Sequence, residues 1–148
     1  MIGALLAAAA TVGAFDPFVG ACWTADFTAT MRDTHCFDVL YDGAHVRDRH
    51  EVKEAGKTVY AGETTYSLDG PDTVFVYLNS LGGVGTGKVT RSAGTLRFRG
   101  SMRASPDKAP QTIDSEWTIL DGDHYDVRSL VKDASTAGKD VIHFTRVK

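Results

Sequence analysis

Two histidines and two carboxylates are the side chains of this sequence that best fit a chemical role, namely His35, Asp48, His50 and Glu63. A histidine beside a carboxylate can orient a polar ligand, coordinate a zinc or iron ion, or move a proton. A metal ion stays an alternative for these residues, but no H-x-H or H-E-x-x-H spacing supports one. We therefore assign no metal ligand and no catalytic residue, and predict that the four residues bind a ligand.

An Asp-Gly pair at residues 42–43 places three of the four on one face of a hairpin. Such a pair is typical of a two-residue turn, which sets the register of the strands that it joins. His35 then lies opposite His50, and Asp48 lies opposite Phe37. The same face also carries Val39, Tyr41, Val46 and Val52. The other face is charged and is expected to meet water, because it carries Asp38, Arg47, Arg49 and Glu51. We predict that the first face lines the interior.

A second turn, at Ala55–Gly56, places Asp48 opposite Glu63. Two histidines and two carboxylates would then project into one end of the interior. A buried carboxylate is costly unless it is paired, and two of them close together force one pKa upward. Such a cluster indicates a ligand, a metal ion or proton transfer. Small barrels also bury satisfied polar networks for structural reasons alone, which is the alternative.

The segment GGVGTGKVT, residues 82–90, matches most of the phosphate-binding pattern G-x-x-x-x-G-K-[ST]. That loop requires a strand before it and a helix after it, so that backbone amides converge on phosphate. Here the strand-like KVTRS follows, and Val89 stands where Ser or Thr would hold magnesium. We therefore interpret the glycines as a wide hairpin loop at the rim of a barrel.

Turn signals recur every eight to fifteen residues, as in YDGA, LDGPD, SAGT and LDGD. The segments between them are rich in Val, Thr, Tyr, Phe and Trp, which favour strands. TLRFRGSMR and TIDSEWTI alternate apolar and polar side chains, as antiparallel hairpins do. We predict an all-β fold of about nine or ten strands. Because closure removes exposed edges, the expected architecture is a single antiparallel up-and-down β-barrel.

The N-terminal segment MIGALLAAAATVGA carries no charged side chain and is almost wholly apolar. It is too short to span a bilayer but suits the hydrophobic region of a signal peptide. We predict a signal peptide at residues 1–14 and one barrel domain at residues 15–148, with a hydrophobic N-terminal helix packed on the fold as the alternative. Two cysteines, Cys22 and Cys36, fit a disulfide in an oxidising compartment. The expected location is periplasmic or secreted.

The start of the predicted domain, FDPFVGACW, places Gly20 three residues before Trp23. This resembles the opening of lipocalins and other calycins, where a glycine and a tryptophan close one end of the barrel. The lipocalin spacing is Gly-x-Trp, one residue shorter than here. The chain also resembles small bacterial exported lipocalin-like proteins of uncharacterised function that begin F-x-P-x-x-G-x-W. The resemblance implies a calycin-type barrel and supplies no catalytic residue.

Composition narrows the classes of function. The net charge is −3 and the basic residues are scattered, so we expect no nucleic-acid partner.

Barrels of this size can leave a cavity for a small molecule. We predict an exported barrel that binds a small, mostly apolar ligand in its lumen, with no cofactor and no membrane span. The alternatives are an isomerase, lyase or hydrolase with His50 or Glu63 as base, and a structural or envelope-interaction protein with a filled barrel.

Overall fold

The computed structural model describes residues 12–132 and 138–148, so most of the predicted signal peptide, residues 1–14, lies outside the described part. After a 3₁₀ turn at Gly13–Phe15 the described residues form ten strands. These are β1 (Cys22–Asp26), β2 (Met31–Leu40), β3 (His45–Glu54), β4 (Lys57–Asp69), β5 (Asp72–Asn79), β6 (Val84–Ser92), β7 (Thr95–Arg103), β8 (Gln111–Ile119), β9 (His124–Ser129) and β10 (Ile142–Arg146). Across both described ranges, no helix has the length and apolar character needed to cross a membrane.

Each strand pairs antiparallel with the next one along the chain, and β10 pairs with β1, so the sheet closes into a barrel. The predicted all-β up-and-down barrel is confirmed, with ten strands. Closure pairs the N–H and C=O groups that an edge strand would leave free. The seam between β1 and β10 is short and is in register at Trp23–Arg146 and Thr24–Thr145.

The first hairpin has the register that its two-residue turn predicts. Asp42 and Gly43 both have positive φ, 56° and 89°, as a type I′ turn requires. The predicted cross-strand pairs form, namely Val39–Val46, Phe37–Asp48, His35–His50 and, on the outer face, Asp38–Arg47. Two residues of the predicted interior face are nevertheless exposed. Tyr41 is 80% exposed because it lies in the turn itself, and Val39, two residues before the turn, is 49% exposed.

The second hairpin departs from its predicted register by one residue. Close to the turn at Ala55–Gly56 the pairs follow the prediction. An irregularity between Val52 and Lys53 shifts every pair that lies farther from the turn. Glu63 therefore lies opposite Arg49, where the prediction had placed it opposite Asp48. That prediction is wrong because one extra residue in a strand moves each later side chain to the other face of the sheet.

An aromatic core fills one end of the barrel, and the segment before β1 plugs it. Phe15 and Phe18 are almost fully buried there. Phe15 stacks on Tyr66 with ring centroids 3.8 Å apart, and Phe18 packs edge-on against Tyr125 at 5.0 Å. Trp23, expected to close one end, also packs against Phe18. Aromatic pairs in these geometries add to the free energy of burial.

The glycine-rich segment at residues 82–90 forms a loop and most of strand β6, and strand β7 follows it instead of a helix. It therefore lacks the strand–loop–helix arrangement of a phosphate-binding loop, as predicted. Gly82 lies in the loop with a positive φ of 82°, a conformation that favours glycine. Inside the strand, a Cβ on Gly87 would come within 2.7 Å of the Phe75 ring. The interpretation of these glycines as a wide hairpin loop is therefore wrong for Gly85 and Gly87, which lie in the paired strand β6.

The predicted disulfide between Cys22 and Cys36 is present. The two residues lie directly opposite each other on β1 and β2. Their neighbours Trp23 and Phe37 are buried in the lumen, so the disulfide lies on the outer face, as expected from the alternation of side chains.

Replacing both cysteines by alanine should lower the free energy of unfolding. The bond closes a loop with a sequence separation of 14 residues, and a loop of about that length corresponds to roughly 3 kcal/mol in the chain-entropy model. Urea denaturation with and without dithiothreitol measures this difference. The double variant should show no response to dithiothreitol; equal midpoints for oxidised and reduced wild type would contradict the prediction.

Candidate functional site

The lumen is polar at the end opposite the aromatic plug. Asp33 and Asp48 are the buried charged residues of the described chain, with 5% and 2% of their surfaces exposed. His35 and His50 lie beside them, opposite each other on β2 and β3. The strand alternation explains this grouping, because Asp33 and His35 are two residues apart on β2, as Asp48 and His50 are on β3. The predicted convergence of His35, Asp48 and His50 is present in the fold.

His35 lies between the two buried carboxylates. Its Nδ1 is 2.8 Å from Asp48 Oδ2, and its Nε2 is 3.0 Å from Asp33 Oδ2. Both ring nitrogens therefore donate when the imidazole is protonated. The ring thereby gives each carboxylate a charged hydrogen-bond partner, which a buried carboxylate requires.

His50 extends the network from Asp33 toward β5. Its Nδ1 is 3.4 Å from Asp33 Oδ1, and its Nε2 is 3.2 Å from the Tyr77 hydroxyl. Tyr77 in turn is hydrogen-bonded to the Tyr60 hydroxyl. The imidazole rings of His35 and His50 stack with centroids 4.8 Å apart. Four strands, β2 to β5, therefore contribute to one connected polar network.

The charges of the cluster follow from its contacts. Burial by itself favours the neutral imidazole of His35, but the carboxylates of Asp48 and Asp33 outweigh burial and raise the pKa of His35 to about 10. Burial also opposes the charged form of Asp33, yet hydrogen bonds from His35 and His50 hold the pKa of this carboxyl well below its usual range. Burial and the Tyr60 hydroxyl raise the pKa of Tyr77 far above its ordinary value.

A glycine in the middle of β4 makes room for His50. Gly62 lies directly opposite His50, and a Cβ at this position would collide with His50 Nε2. It would also come within 2.8 Å of the Tyr77 hydroxyl. Glycine weakens a strand interior, so its presence here marks a close approach of side chains. The contact between His50 and Tyr77 depends on the absence of that Cβ.

Glu63 does not belong to the cluster. The register shift in the second hairpin places it opposite Arg49 on β3 and Leu78 on β5, both of which face outward. The expected set of two histidines and two carboxylates is nevertheless present, because Asp33 takes the position that Glu63 was expected to fill. The sequence already indicated that Asp33 faces the interior, because the register of the first turn pairs it with Val52, a member of the predicted interior face.

A cavity with a volume of about 180 Å³ opens beside the cluster. Asp33 and His35 form its polar part, and its other walls are Phe27, Trp117, Tyr125, Val127, Ile142 and Phe144. A second cavity, of about 130 Å³, lies on the other side of Trp117. The hydroxyl of Tyr125 is buried and has no hydrogen-bond partner within the described residues. The lumen is therefore not filled by side chains at this end.

The residue types of the cluster also suit metal coordination. Asp33, His35 and His50 each offer one ligand atom, and these atoms all lie within 4.8 Å of one another. Imidazole and carboxylate are common ligands of zinc and iron.

Stability should fall as the pH rises from about 6.5, the usual histidine pKa, toward about 10, the pKa of His35 in the folded protein. The raised pKa means that the folded state holds this proton more tightly than the unfolded chain. The protonated His35 ring therefore contributes its full stabilisation at the lower pH limit and none at the upper pH limit. Between them the free energy of unfolding falls by at most about 1.4 kcal/mol per pH unit.

Urea denaturation at several pH values between these limits, with a chelator present, measures that slope. The lowered pKa of Asp33 adds a loss of stability on the acid side, as the pH falls below about 3.9. The His35→Gln variant keeps a hydrogen-bonding side chain but cannot titrate, so its slope on the alkaline side should be flat. The same slope in both proteins would refute the assignment of the proton to His35.

Gly62→Ala should disturb the cluster because its methyl group would displace His50 and Tyr77. Overpacking of this kind costs about 1–3 kcal/mol of folding free energy. Gly122→Ala is the matched control, because a Cβ there would meet nothing within 4 Å. Urea denaturation and the imidazole NMR signals of His50 provide the measurements; equal effects of the two substitutions would contradict this account.

Comparison with known proteins supports the fold and goes no further. No protein-family model matches the chain, and neither does any curated protein. The structure is similar to the crystal structure of Rv2717c from M. tuberculosis, with a TM-score of 0.59 over 94% of this chain and 100% of that chain. The two sequences are 11% identical, so the likeness concerns the fold alone. The expected barrel is thus supported by a solved structure of similar fold, and the lipocalin resemblance stays a prediction.

Proposed function

We propose that this protein is an exported barrel that binds a small, mostly apolar ligand in its lumen, with the polar group of the ligand against Asp33 and His35. The observation that supports this most directly is the cavity beside the cluster, whose aromatic and aliphatic walls end on two charged side chains. Ligand sites commonly combine such apolar walls with a few polar groups that orient the ligand.

The size of the cavity limits the ligand to about one ring. Its volume of about 180 Å³ compares with roughly 150 Å³ for an engineered apolar cavity that binds benzene. Trp117 lines this cavity and also the second one, so its indole ring is the wall between them.

The charges of the cluster indicate the polar end of the ligand. Asp33 lines the cavity beside His35, and its hydrogen bonds hold the pKa of this buried carboxyl well below its usual range. A hydrogen-bond donor or a cationic group therefore fits better than an anion. Tyr125 lines the same cavity, and its buried hydroxyl has no hydrogen-bond partner among the described residues.

Of the residues expected to orient the ligand, His35 contacts the cavity directly. Asp48 holds the His35 ring from behind through a hydrogen bond of 2.8 Å, and His50 reaches the cavity only through Asp33. Glu63 has no part in this proposal because its side chain faces outward. The enzymatic alternative that used Glu63 as base loses its support for the same reason.

The proposal of export rests on the disulfide and on the apolar start of the sequence. Disulfides persist in oxidising compartments, and Cys22 and Cys36 form one here. The outer face of the barrel carries ion pairs typical of a surface in water, such as Asp38–Arg47 and Asp72–Lys88, both at 2.6 Å. The location that we propose is accordingly periplasmic or secreted.

Benzamidine, which joins one ring to a cationic donor, is the probe that matches this cavity, and benzoate is its anionic counterpart. We expect calorimetry to detect benzamidine binding and no benzoate binding. Val127→Phe should weaken benzamidine at least tenfold because the larger side chain fills the cavity, whereas Val59→Phe, at a residue 50% exposed, should leave it unchanged.

Native mass spectrometry of protein purified under mild conditions supplies an independent result. We expect a co-purified molecule of about ten non-hydrogen atoms in the wild type and its loss in Val127→Phe. Absence of any such molecule, together with equal or no binding of the two probes, would reject the proposed function.

A further inference from the structure

We propose that Asp33, His35 and His50 form a three-ligand site for a divalent transition-metal ion of the zinc or ferrous-iron class. The inference goes beyond the binding of an organic ligand and does not depend on it. It rests on the positions of three ligand atoms, on the partners of the two histidines and on the cavity that the site faces.

The ligand atoms lie close together. Both imidazole rings direct a nitrogen at the Asp33 carboxylate, His35 Nε2 at 3.0 Å and His50 Nδ1 at 3.4 Å. Neighbouring ligands of a tetrahedral zinc ion lie about 3.3 Å apart when each bond is about 2.0–2.1 Å. The ligand atoms of the three residues lie within 4.8 Å of one another, so the stacked rings have to rotate to bring both lone pairs onto one ion.

The remaining nitrogen of each histidine has a partner suited to support a metal ligand. His35 Nδ1 lies 2.8 Å from Asp48 Oδ2, and His50 Nε2 lies 3.2 Å from the Tyr77 hydroxyl, which is itself hydrogen-bonded to Tyr60. With an ion on the other nitrogen of each ring, both of these nitrogens would carry the hydrogen and donate it. Metal-binding histidines almost always donate their second N–H to a carboxylate, a carbonyl or water. These hydrogen bonds leave His35 Nε2 and His50 Nδ1 for the ion, and these are the atoms that face Asp33.

Charge and surroundings favour a doubly charged ion with nitrogen ligands. The Asp33 carboxylate, together with Asp48 behind His35, offsets the positive charge in a buried place. Two imidazoles disfavour magnesium and calcium, which prefer oxygen ligands. A hydrogen atom on His35 Nε2 or His50 Nδ1 would leave as a proton when the ion binds, because each ligand nitrogen must offer its lone pair.

The site is open on the side of the cavity. Asp33 and His35 line it, so a position beyond the three protein ligands faces an apolar chamber. Zinc sites with three protein ligands keep such a position for water or another molecule. A small ligand with a lone pair could therefore reach the ion from the lumen.

The test uses the full chain after treatment with a chelator and exhaustive dialysis. Calorimetric titration with Zn²⁺ should give one ion per chain, and Co²⁺ should produce the visible absorption of a low-coordinate site. Asp33→Asn and His50→Gln should each weaken Zn²⁺ by at least 100-fold. Asp48→Asn should weaken it by about 10–100-fold, the usual effect of removing a partner of a ligating histidine.

His143→Gln is the matched control. His143 also bonds to an aspartate, Asp126 at 2.7 Å, but its side chain is 76% exposed on the outer face. This variant should bind Zn²⁺ like the wild type. If a variant of the cluster fails to fold, imidazole NMR of the wild type decides: Zn²⁺ should shift the signals of His35 and His50 and leave His45, His124 and His143 in place.

The proposal is overturned if wild type binds no Zn²⁺, if binding survives Asp33→Asn and His50→Gln, or if the exposed histidines are the ones that shift. The benzamidine experiment separates this site from the ligand proposal. Zn²⁺ binding without benzamidine binding and without a co-purified molecule supports the metal site and rejects the ligand proposal. Benzamidine binding without Zn²⁺ binding supports the ligand proposal and rejects the metal site.

Discussion

The burial of two carboxylates around one imidazole is the constraint on which the rest of the site depends. Asp33 and Asp48 lie in a lumen whose other walls are largely aromatic, and removing a carboxylate from water is costly unless it gains a charged partner. The protonated ring of His35 serves both of them. His50 then supplies a further polar contact to Asp33. Position 62 is glycine because a Cβ there would collide with the His50 ring.

The polar network and the aromatic core that stabilises the fold adjoin each other inside the closed barrel, and the His35 ring packs against Phe37 and Phe144. At one end the segment before β1 inserts Phe15 and Phe18 among the core rings, where both side chains are almost fully buried. At the other end the network is held by hydrogen bonds between strands, and the side chains do not fill the volume. The plugged end thus provides hydrophobic stability, and the open end is available for binding.

Much of the site was predictable from local sequence because strands alternate with a period of two. The turn at Asp42–Gly43 set the pairing of His35 with His50 and placed Asp48 on the same face. The position of Glu63 was not predictable, because a one-residue irregularity after Val52 depends on how two strands twist around a closed barrel and has no sequence signal of its own.

From the sequence alone followed the all-β class, the meander of antiparallel strands, the disulfide and the face of the first hairpin that points inward. These properties are local: they depend on turn residues, on alternation and on a pair of cysteines close in sequence. The tertiary structure decided the contacts between residues that are far apart in sequence. Tyr60 and Tyr77 extend the hydrogen-bond network of the histidines, Trp117 lies between two cavities, and one of these cavities opens beside the cluster. Each of these depends on side chains from strands far apart in sequence, whose packing is set only when the barrel closes.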